Sequence, residues 1–292
     1  MQSFDVLAND TDGDDDTLTL DTATVLSTSG IAAVSGGEID FTPADLFLGN
    51  AAITYTMSDG HGHSDTGMLN VTVSEDVLAP VISSFTVTIG AGSLVTRAPI
   101  RVTWAATDAG SGVASYEVQV STDGGPFVAF SAGSGLTRTA LFAASHGYVF
   151  RVRATDVAGN VSGYQASGSS NPLFVQSRNA HILYRPSMWT YVGSRNGSPD
   201  GYRYSTTKGA AVSYLFTGRE IVWVAPKSRG AGTANVYIDG VRMATVSLYS
   251  ATSRNGQQVF KQVFSVSGRH TIKIVVASSG KRVGVDAFLI LR

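Results

Sequence analysis

The chain has 292 residues, of which 43% are hydrophobic, and this length and composition support packed cores in two or three domains. It contains no cysteine, which excludes disulfides, thiolate metal sites and cysteine nucleophiles. The net charge of −1 conceals a strong separation, because the first 77 residues carry fourteen Asp and Glu and no Lys or Arg. From His181 onward, fifteen Lys and Arg stand against four Asp and Glu. Such an acidic segment repels itself unless a cation neutralises it, and Ca²⁺ is the cation that we expect.

Strand-like alternation of apolar and polar residues recurs along the chain. In residues 1–77, segments 53–57 and 69–73 alternate around a Ser58-Asp59-Gly60 corner, which predicts a β-hairpin. Leu78-Ala79-Pro80 predicts a linker, after which segments 100–104, 116–120 and 148–153 alternate in the same way. Five more apolar segments lie beyond residue 179, and none has the 3.6-residue period of a helix. We therefore predict an all-β chain of three β-sandwich domains in series, residues 1–77, 78–178 and 179–292.

Residues 4–14 (FDVLANDTDGD) and residues 53–62 (ITYTMSDGHG) together resemble the cadherin-like repeats of large bacterial surface proteins and adhesins. The resemblance implies an Ig-like sandwich whose acidic loops bind calcium. Such repeats have a first strand upstream of the DVLAND run, whereas this chain starts inside it. We therefore expect a fragment of a longer protein, or a first sandwich that is completed from outside. The first residues also lack the basic start and apolar core of a signal peptide.

The other two predicted domains carry their own resemblances. Trp104, the DAGSGV run at residues 108–113 and the alternating segment 148–160 resemble a bacterial fibronectin type III domain, which implies a spacer. Residues 202–205 (YRYS), 236–240 (VYIDG) and 285–288 (VDAF) resemble galactose-binding-like and carbohydrate-binding modules with a jelly-roll-like sandwich. Members of that group differ in what they bind.

Two sets of carboxylates are candidates for a metal site. Alternate aspartates in the first acidic run point oxygens toward one place, as the six to eight oxygen ligands of Ca²⁺ require, and two more flank the following Gly-rich turn. A buried carboxylate in the apolar terminal strand must be paired, hydrogen-bonded or bound to a metal. The alternative for the first set is a solvated acidic loop, and for the last residue a hydrogen-bonded strand end. The predicted metal ligands are Asp10, Asp12, Asp14, Asp16, Asp59, Asp65 and Asp286.

Aromatic residues of the third domain are candidates for carbohydrate binding, because the CH faces of sugar rings stack on aromatic rings. Trp223, Tyr214 and Tyr237 lie in alternating strands, and we expect them in the core. Tyr202 and Tyr204 share one face at a period of two, with Lys227, Arg229 and Arg254 in loops. The predicted ligand residues, from loop-like surroundings, are Trp189, Tyr191, Tyr202 and Tyr249.

Catalytic and nucleic-acid-binding motifs are absent from the sequence. There is no Gly-x-Ser-x-Gly, His-Glu-x-x-His or phosphate-binding Gly-rich loop, so we predict no enzyme. The cations of the third domain are scattered along the sequence, which disfavours nucleic-acid binding. The sequence contains no run of 18 apolar residues, so we predict no membrane insertion. The sequence favours a calcium-stabilised fragment of a secreted or cell-surface bacterial protein that binds glycan or cell-wall polymer. A self-associating subunit of a filament, stalk or surface layer and the accessory tail of a secreted hydrolase remain alternatives.

Overall fold

The computed structural model describes residues 1–45, 47–92, 97–186, 188–193 and 200–292. These residues form strands, turns and loops and no helix, which confirms the prediction of an all-β chain. Consequently, no described segment is a helix that could cross a membrane. Two compact units, Met1–Val77 and Leu78–Arg292, divide the chain at the first predicted boundary.

The first unit is a small sandwich of two antiparallel sheets, β1-β4-β3 and β2-β5-β6, around a core that includes Ile39, Phe41, Ile53 and Tyr55. β5 and β6 form the predicted hairpin, and β1 pairs with β4 as a short strand directly before the acidic run. The strands are β1 (Gln2–Phe4), β2 (Thr19–Val25), β3 (Gly30–Ser35), β4 (Glu38–Pro43), β5 (Gly49–Ser58) and β6 (Ser64–Val73).

The second unit begins with a sandwich that we call the second module, residues 78–171. Its two antiparallel sheets have the orders β11-β8-β7 and β10-β9-β12-β13, and Trp104, Val118 and Phe150 lie in the core between them. The alternation predicted at 100–104, 116–120 and 148–153 falls within β8, β9 and β12. The strands are β7 (Val81–Ile89), β8 (Arg97–Thr107), β9 (Val113–Thr122), β10 (Val128–Gly133), β11 (Thr137–Ala143), β12 (Tyr148–Asp156) and β13 (Gln165–Ala166).

The remainder, residues 172–292, is called the third module. Its large sheet has the order β14-β23-β18-β21-β19-β20, with β15 also paired to β18, and a smaller sheet has the order β16-β17-β22. The strands are β14 (Pro172–Gln176), β15 (Leu183–Arg185), β16 (Thr190–Val192), β17 (Tyr202–Ser205), β18 (Ala211–Lys227), β19 (Thr233–Ile238), β20 (Val241–Ser247), β21 (Arg254–Val276), β22 (Val283–Val285) and β23 (Ala287–Leu291).

The large sheet of the third module is apolar on both faces at β18 and β23. All five residues of β23 are buried: Phe288 and Ile290 enter the core of the third module. Leu289 and Leu291 point the other way and join the core that contains Trp104. Successive side chains of a strand point to opposite faces, so one strand of continuous apolar sequence completes two cores. The second and third modules therefore share a hydrophobic core.

Polar contacts at one end of β7 add to this shared core. The Glu220 carboxylate accepts a hydrogen bond from the Ile89 amide at 2.9 Å and forms an ion pair with Lys261. Lys261 Nζ donates to the Ile89 carbonyl at 2.5 Å, and Gln258 Nε2 donates to the Gly90 carbonyl at 2.7 Å. Burial raises the pKa of Glu220, while Lys261 and the Ile89 amide act in the opposite direction. These side chains satisfy backbone groups of the second module from the third.

This architecture differs from the predicted spacer of residues 78–178. β14, which the sequence places at the end of that spacer, pairs with β23 in the sheet of the third module. Residues 172–176 therefore belong to the sheet of the third module, and residues 78–292 form one compact unit. The physical reason is the second apolar face of β23, which has to be covered.

Candidate functional site

A groove opens on the third module where β17 and β22 meet the end of β18 and the start of β21. It consists of two adjoining recesses of about 470 and 240 Å³ that share Tyr204, Ser228 and Arg282. Tyr202, Lys227 and Asn255 extend its lining on one side. We call this feature the β17 groove.

The aromatic wall of the β17 groove follows from strand alternation in β17. Tyr202 and Tyr204 share one face, with ring centroids 6.3 Å apart and an interplanar angle of 48°. Arg203 between them lies near a different ring, with its Cζ 5.1 Å from the ring centre of Tyr184. Arg282 Cζ lies 4.7 Å from the ring centre of Tyr204, within the range of a cation–π contact. The groove therefore combines two tilted rings with a positioned guanidinium.

A glycine on the neighbouring strand makes room for this wall. Gly284 lies opposite Tyr204 in the pairing of β17 and β22. A Cβ atom at this position would come within 2.9 Å of Pro226 Cγ and 3.4 Å of Tyr202 Cδ2. Any larger residue would have to displace a ring of the groove.

Backbone hydrogen bonds hold the loops that border the β17 groove. The Ser228 amide donates to the Leu248 carbonyl at 3.1 Å. The Gly232 amide donates to the Arg282 carbonyl at 2.8 Å, and the Arg282 amide donates to the Gly230 carbonyl at 3.3 Å. These bonds hold three separate loops in place. A ligand would therefore bind with little further loss of conformational entropy in the loops.

The chemistry of the β17 groove suits a polyhydroxylated ligand. Its tyrosines offer stacking faces, and Ser228 and Asn255 offer hydrogen-bond donors and acceptors. Lys227 and Arg282 add positive charge, whereas no Asp or Glu is found among the described residues of the lining. The described lining therefore does not include the pair of carboxylates that glycoside hydrolysis ordinarily uses.

The structure distributes the four predicted ligand residues over different surroundings. Tyr202 lines the β17 groove. Tyr191 is 38% exposed and donates its hydroxyl to the Asp200 carbonyl at 2.7 Å. Tyr249 is 57% exposed and follows the Leu248 that anchors a groove loop, outside the lining itself.

Trp189 differs from the expectation of an exposed loop residue. Its side chain is 6% exposed and packs in the core, with its ring centre 5.1 Å from that of Tyr184. A buried ring has no face on which a sugar can stack, so the placement fits a core role. Trp223 and Tyr214 are buried as expected, whereas Tyr237 is only partly buried.

Two groove residues are additions to the predicted set. Tyr204 was indicated by the period of two in YRYS, and that alternation was sufficient to place it beside Tyr202. Arg282 lies about eighty positions further along the chain, and long-range contacts bring it to the groove: β22, which follows it, pairs with β17, and Arg282 itself pairs with Ala231. No local sequence signal could have identified it.

The predicted calcium ligands of the first unit share a loop without converging on one point. Asp10, Asp12 and Asp16 line a recess of about 330 Å³. The Asp12 carboxylate accepts hydrogen bonds from the amides of Asp14 and Asp16 at 2.8 and 3.2 Å, which folds the loop on itself. Asp10 accepts a hydrogen bond from the Tyr55 hydroxyl at 3.3 Å. Within the described part of this unit, no three acidic or histidine groups bring ligand atoms within 4.8 Å of one another.

The carboxylates of Asp59 and Asp65 accept hydrogen bonds from backbone amides. Asp59 accepts hydrogen bonds from the amides of His61 and His63 at 2.7 and 3.1 Å, and its second oxygen meets His63 Nδ1 at 2.8 Å. The amide of His61 and the side chain of His63 lower the pKa of Asp59 to about 2. Asp65 accepts from the Thr66 amide at 2.7 Å. Asp59 therefore organises the turn between β5 and β6.

Asp286 is buried at the step from β22 to β23, with 4% of the residue exposed. Its backbone is fixed on both sides, because the Ser177 amide donates to its carbonyl and its own amide donates to the Val224 carbonyl. Among the residues that the structure describes, it belongs to no group of three potential metal ligands. These backbone contacts fix the position of Asp286, and a metal bound at its carboxylate stays a prediction.

The second module contains a pair of carboxylates that sequence reasoning missed. Asp108 and Asp156 bring carboxylate oxygens within 4.8 Å of one another, and Asp156 is 2% exposed. Asp108 Oδ2 accepts hydrogen bonds from the amides of Gly110 and Gly112, whereas its Oδ1 is buried without a hydrogen-bond partner. Asp156 accepts hydrogen bonds from the backbone amide and the side-chain amide of Asn160 at 2.7 and 2.9 Å. The pair was not identifiable beforehand because 48 positions separate its members.

Parts of the chain are similar in sequence to known proteins. Residues 2–72 match the family described as "Bacterial Ig domain". A type blood alpha-D-galactosamine galactosaminidase of Flavonifractor plautii is 37% identical over 73 residues, 25% of this chain and 7% of that protein. A type blood N-acetyl-alpha-D-galactosamine deacetylase of the same organism is 31% identical over 100 residues, 32% of this chain and 13% of that protein. The chain thus spans a small fraction of the curated relatives it matches.

Solved structures show weak similarity of fold. CBM35 from Cellvibrio japonicus Abf62 has a TM-score of 0.32 at 15% identity, over 42% of this chain and 96% of that chain. A carbohydrate-binding module, CBM36 in complex with calcium and xylotriose, has a TM-score of 0.28 at 17% identity, over 41% of this chain and 98% of that one. Similarity at this level leaves the site to be argued from its own residues.

Proposed function

We propose that this chain is a non-catalytic, carbohydrate-binding accessory region of a secreted or cell-surface bacterial protein, with the β17 groove as its binding site. The observation that carries the proposal is the wall of Tyr202 and Tyr204 facing Arg282 in a groove with fixed loops. Sugar rings bind to proteins by stacking on aromatic faces while their hydroxyls meet polar groups, and this groove offers both.

The names of the matched relatives support the same class of function. Both are enzymes of carbohydrate chemistry, one named for a galactosamine glycoside and one for an N-acetylgalactosamine deacetylation. Because the match spans only 7% and 13% of them, it fits an accessory region rather than a catalytic one. The chain's role in a larger protein is then to hold a partner domain against its glycan.

A glycan array probed with the full chain tests the proposal, followed by titration of each hit with the Tyr204→Ala variant. We expect at least about tenfold weaker binding in Tyr204→Ala, because one stacking face is lost. Met243→Ala is the control, since this side chain of β20 is 45% exposed and lies outside the lining, so its loss should leave binding unchanged. An array without hits, or equal binding by Tyr204→Ala, would remove the β17 groove as a glycan site.

We also propose that Ca²⁺ stabilises the acidic run of the first unit. Support comes from the fourteen uncompensated carboxylates of residues 1–77 and from the recess that Asp10, Asp12 and Asp16 line. Calcium binding would draw these carboxylates closer together than their hydrogen bonds now hold them, and the binding energy would add to the stability of the folded unit.

A further inference from the structure

The third module has four Asp and Glu residues, and none of them is among the described residues that line the β17 groove. Glu220 is 1% exposed and paired with Lys261, and Asp286 is 4% exposed. Asp239 accepts a hydrogen bond from His270 Nδ1 at 2.7 Å at the hairpin of β19 and β20. Asp200 lies in the turn before β17 and does not line the groove. The groove is therefore free of negative charge in its described lining.

The charged side chains of the described lining are cations instead. Lys227 and Arg282 line the groove, and Arg282 is exposed while its guanidinium is held near the Tyr204 ring. Two further cations, Arg254 and Lys281, are exposed and stand next in sequence to lining residues. A neutral sugar would leave these cations without an anionic partner. A sugar that carries a negative charge could stack its ring on the tyrosines and pair its charge with the cations.

From this charge distribution we infer that the β17 groove selects anionic sugars, those that carry a carboxylate or a sulfate. The inference rests on the proposed function and narrows its ligand class. The planar guanidinium of Arg282 can donate two parallel hydrogen bonds to a carboxylate or sulfate, and Lys227 adds a second, mobile charge. The tyrosines distinguish this site from a merely basic surface, because they require a ring to stack on.

The test is calorimetric titration of the full chain with oligogalacturonate and with the same oligosaccharide after its carboxyl groups are reduced. Dextran sulfate and dextran form a second pair, which measures the effect of a sulfate group in the absence of any carboxylate. We expect the charged member of at least one pair to bind about tenfold or more tightly than its neutral counterpart, because charge-assisted hydrogen bonds are the strong ones. This preference should shrink from 0.15 M to 1 M salt as screening shortens from about 8 Å to about 3 Å.

Variants tie the preference to the groove. Arg282→Gln should remove most of the preference for the charged sugar, and Lys227→Gln should reduce it. Arg269→Gln is the matched control, because Arg269 is an exposed cation of the same module that lies outside the groove lining. All three side chains are partly or fully exposed, so these variants should fold, which an unchanged thermal melt would verify.

Each result has a definite meaning. Equal affinity for charged and neutral members, or no binding of either charged polymer, overturns the anionic preference, while hits on the glycan array would still support sugar binding. An array without hits overturns the proposed function itself. If a single-stranded oligonucleotide binds as tightly as oligogalacturonate and Tyr204→Ala has no effect, the site is a general basic surface and the inference fails.

Discussion

Replacing Leu289 by alanine should destabilise the second and third modules together. Leu289 is fully buried, and it belongs to a strand of the third module while packing in the core of the second. Truncating a buried leucine to alanine typically costs about 2–5 kcal/mol, through lost burial and the cavity that remains. With a urea dependence of about 1–3 kcal/mol per molar, the unfolding midpoint should fall by about 0.7 M or more.

Tryptophan fluorescence is a selective assay for this prediction, since the three tryptophans all lie beyond residue 77 and the first unit is silent. Trp104 reports on the core of the second module, and Trp189 and Trp223 report on the third. A Trp104→Phe background follows the third module alone, and a double Trp189→Phe, Trp223→Phe background follows the second. If the core is shared, Leu289→Ala should lower both midpoints, and the two transitions should coincide before and after the change.

Leu215→Ala is the control, because this leucine of β18 is 47% exposed and its loss should change stability by no more than about 0.5 kcal/mol. The reasoning fails if Leu289→Ala moves only the midpoint reported by Trp189 and Trp223. It fails equally if the two modules of the unaltered chain unfold at well-separated urea concentrations, because independent modules would not share a core.

Three other predictions concern the charges of the chain. Chelation with EDTA should lower the calorimetric melting temperature of the first unit and spare the transition seen by tryptophan fluorescence, because Ca²⁺ binds the folded acidic run; an unchanged first transition contradicts this. Asp59 has its pKa lowered to about 2, so its stabilising effect is present above the usual 3.8 and is lost as pH falls through about 2. Asp59→Ala should therefore lower the melting temperature of the first unit at pH 7 more than at pH 2, and an equal loss at both would refute the assignment. Self-association driven by the acidic first unit and the basic third module should weaken with salt and survive in calcium, and light scattering that shows a monomer at low salt would exclude it.

Sequence periodicity was most informative where a strand has one buried face. The alternation at residues 53–57 located β5 and its core residues Ile53 and Tyr55, and the alternation in YRYS placed Tyr202 beside Tyr204. Both results follow from the period of two, which needs no knowledge of distant partners. Trp189 was not predictable in this way, because its loop-like surroundings suggested exposure while Tyr184, five positions away, packs against its ring.

Features that depend on long-range pairing were not predictable. The run AFLIL of β23 is apolar at every position, which is equally compatible with one buried face and with two. Only the packing of the second module against Leu289 and Leu291 explains it. In the same way, Arg282 reaches the β17 groove through the pairing of β22 with β17 and through its own pairing with Ala231. Neither contact leaves a local trace in the chain.

The position of β23 has a consequence for synthesis of the protein. Domains usually fold in order as the chain leaves the ribosome, with earlier domains complete before later ones appear. Here the core around Trp104 includes Leu289 and Leu291, which are translated more than 120 residues after the last strand of the second module, β13. An apolar face of the second module therefore stays uncovered until residue 291 has emerged from the ribosome. We expect ribosome-bound chains stalled before β23 to bind chaperones or resist folding, although the sequence of the second module itself is already complete.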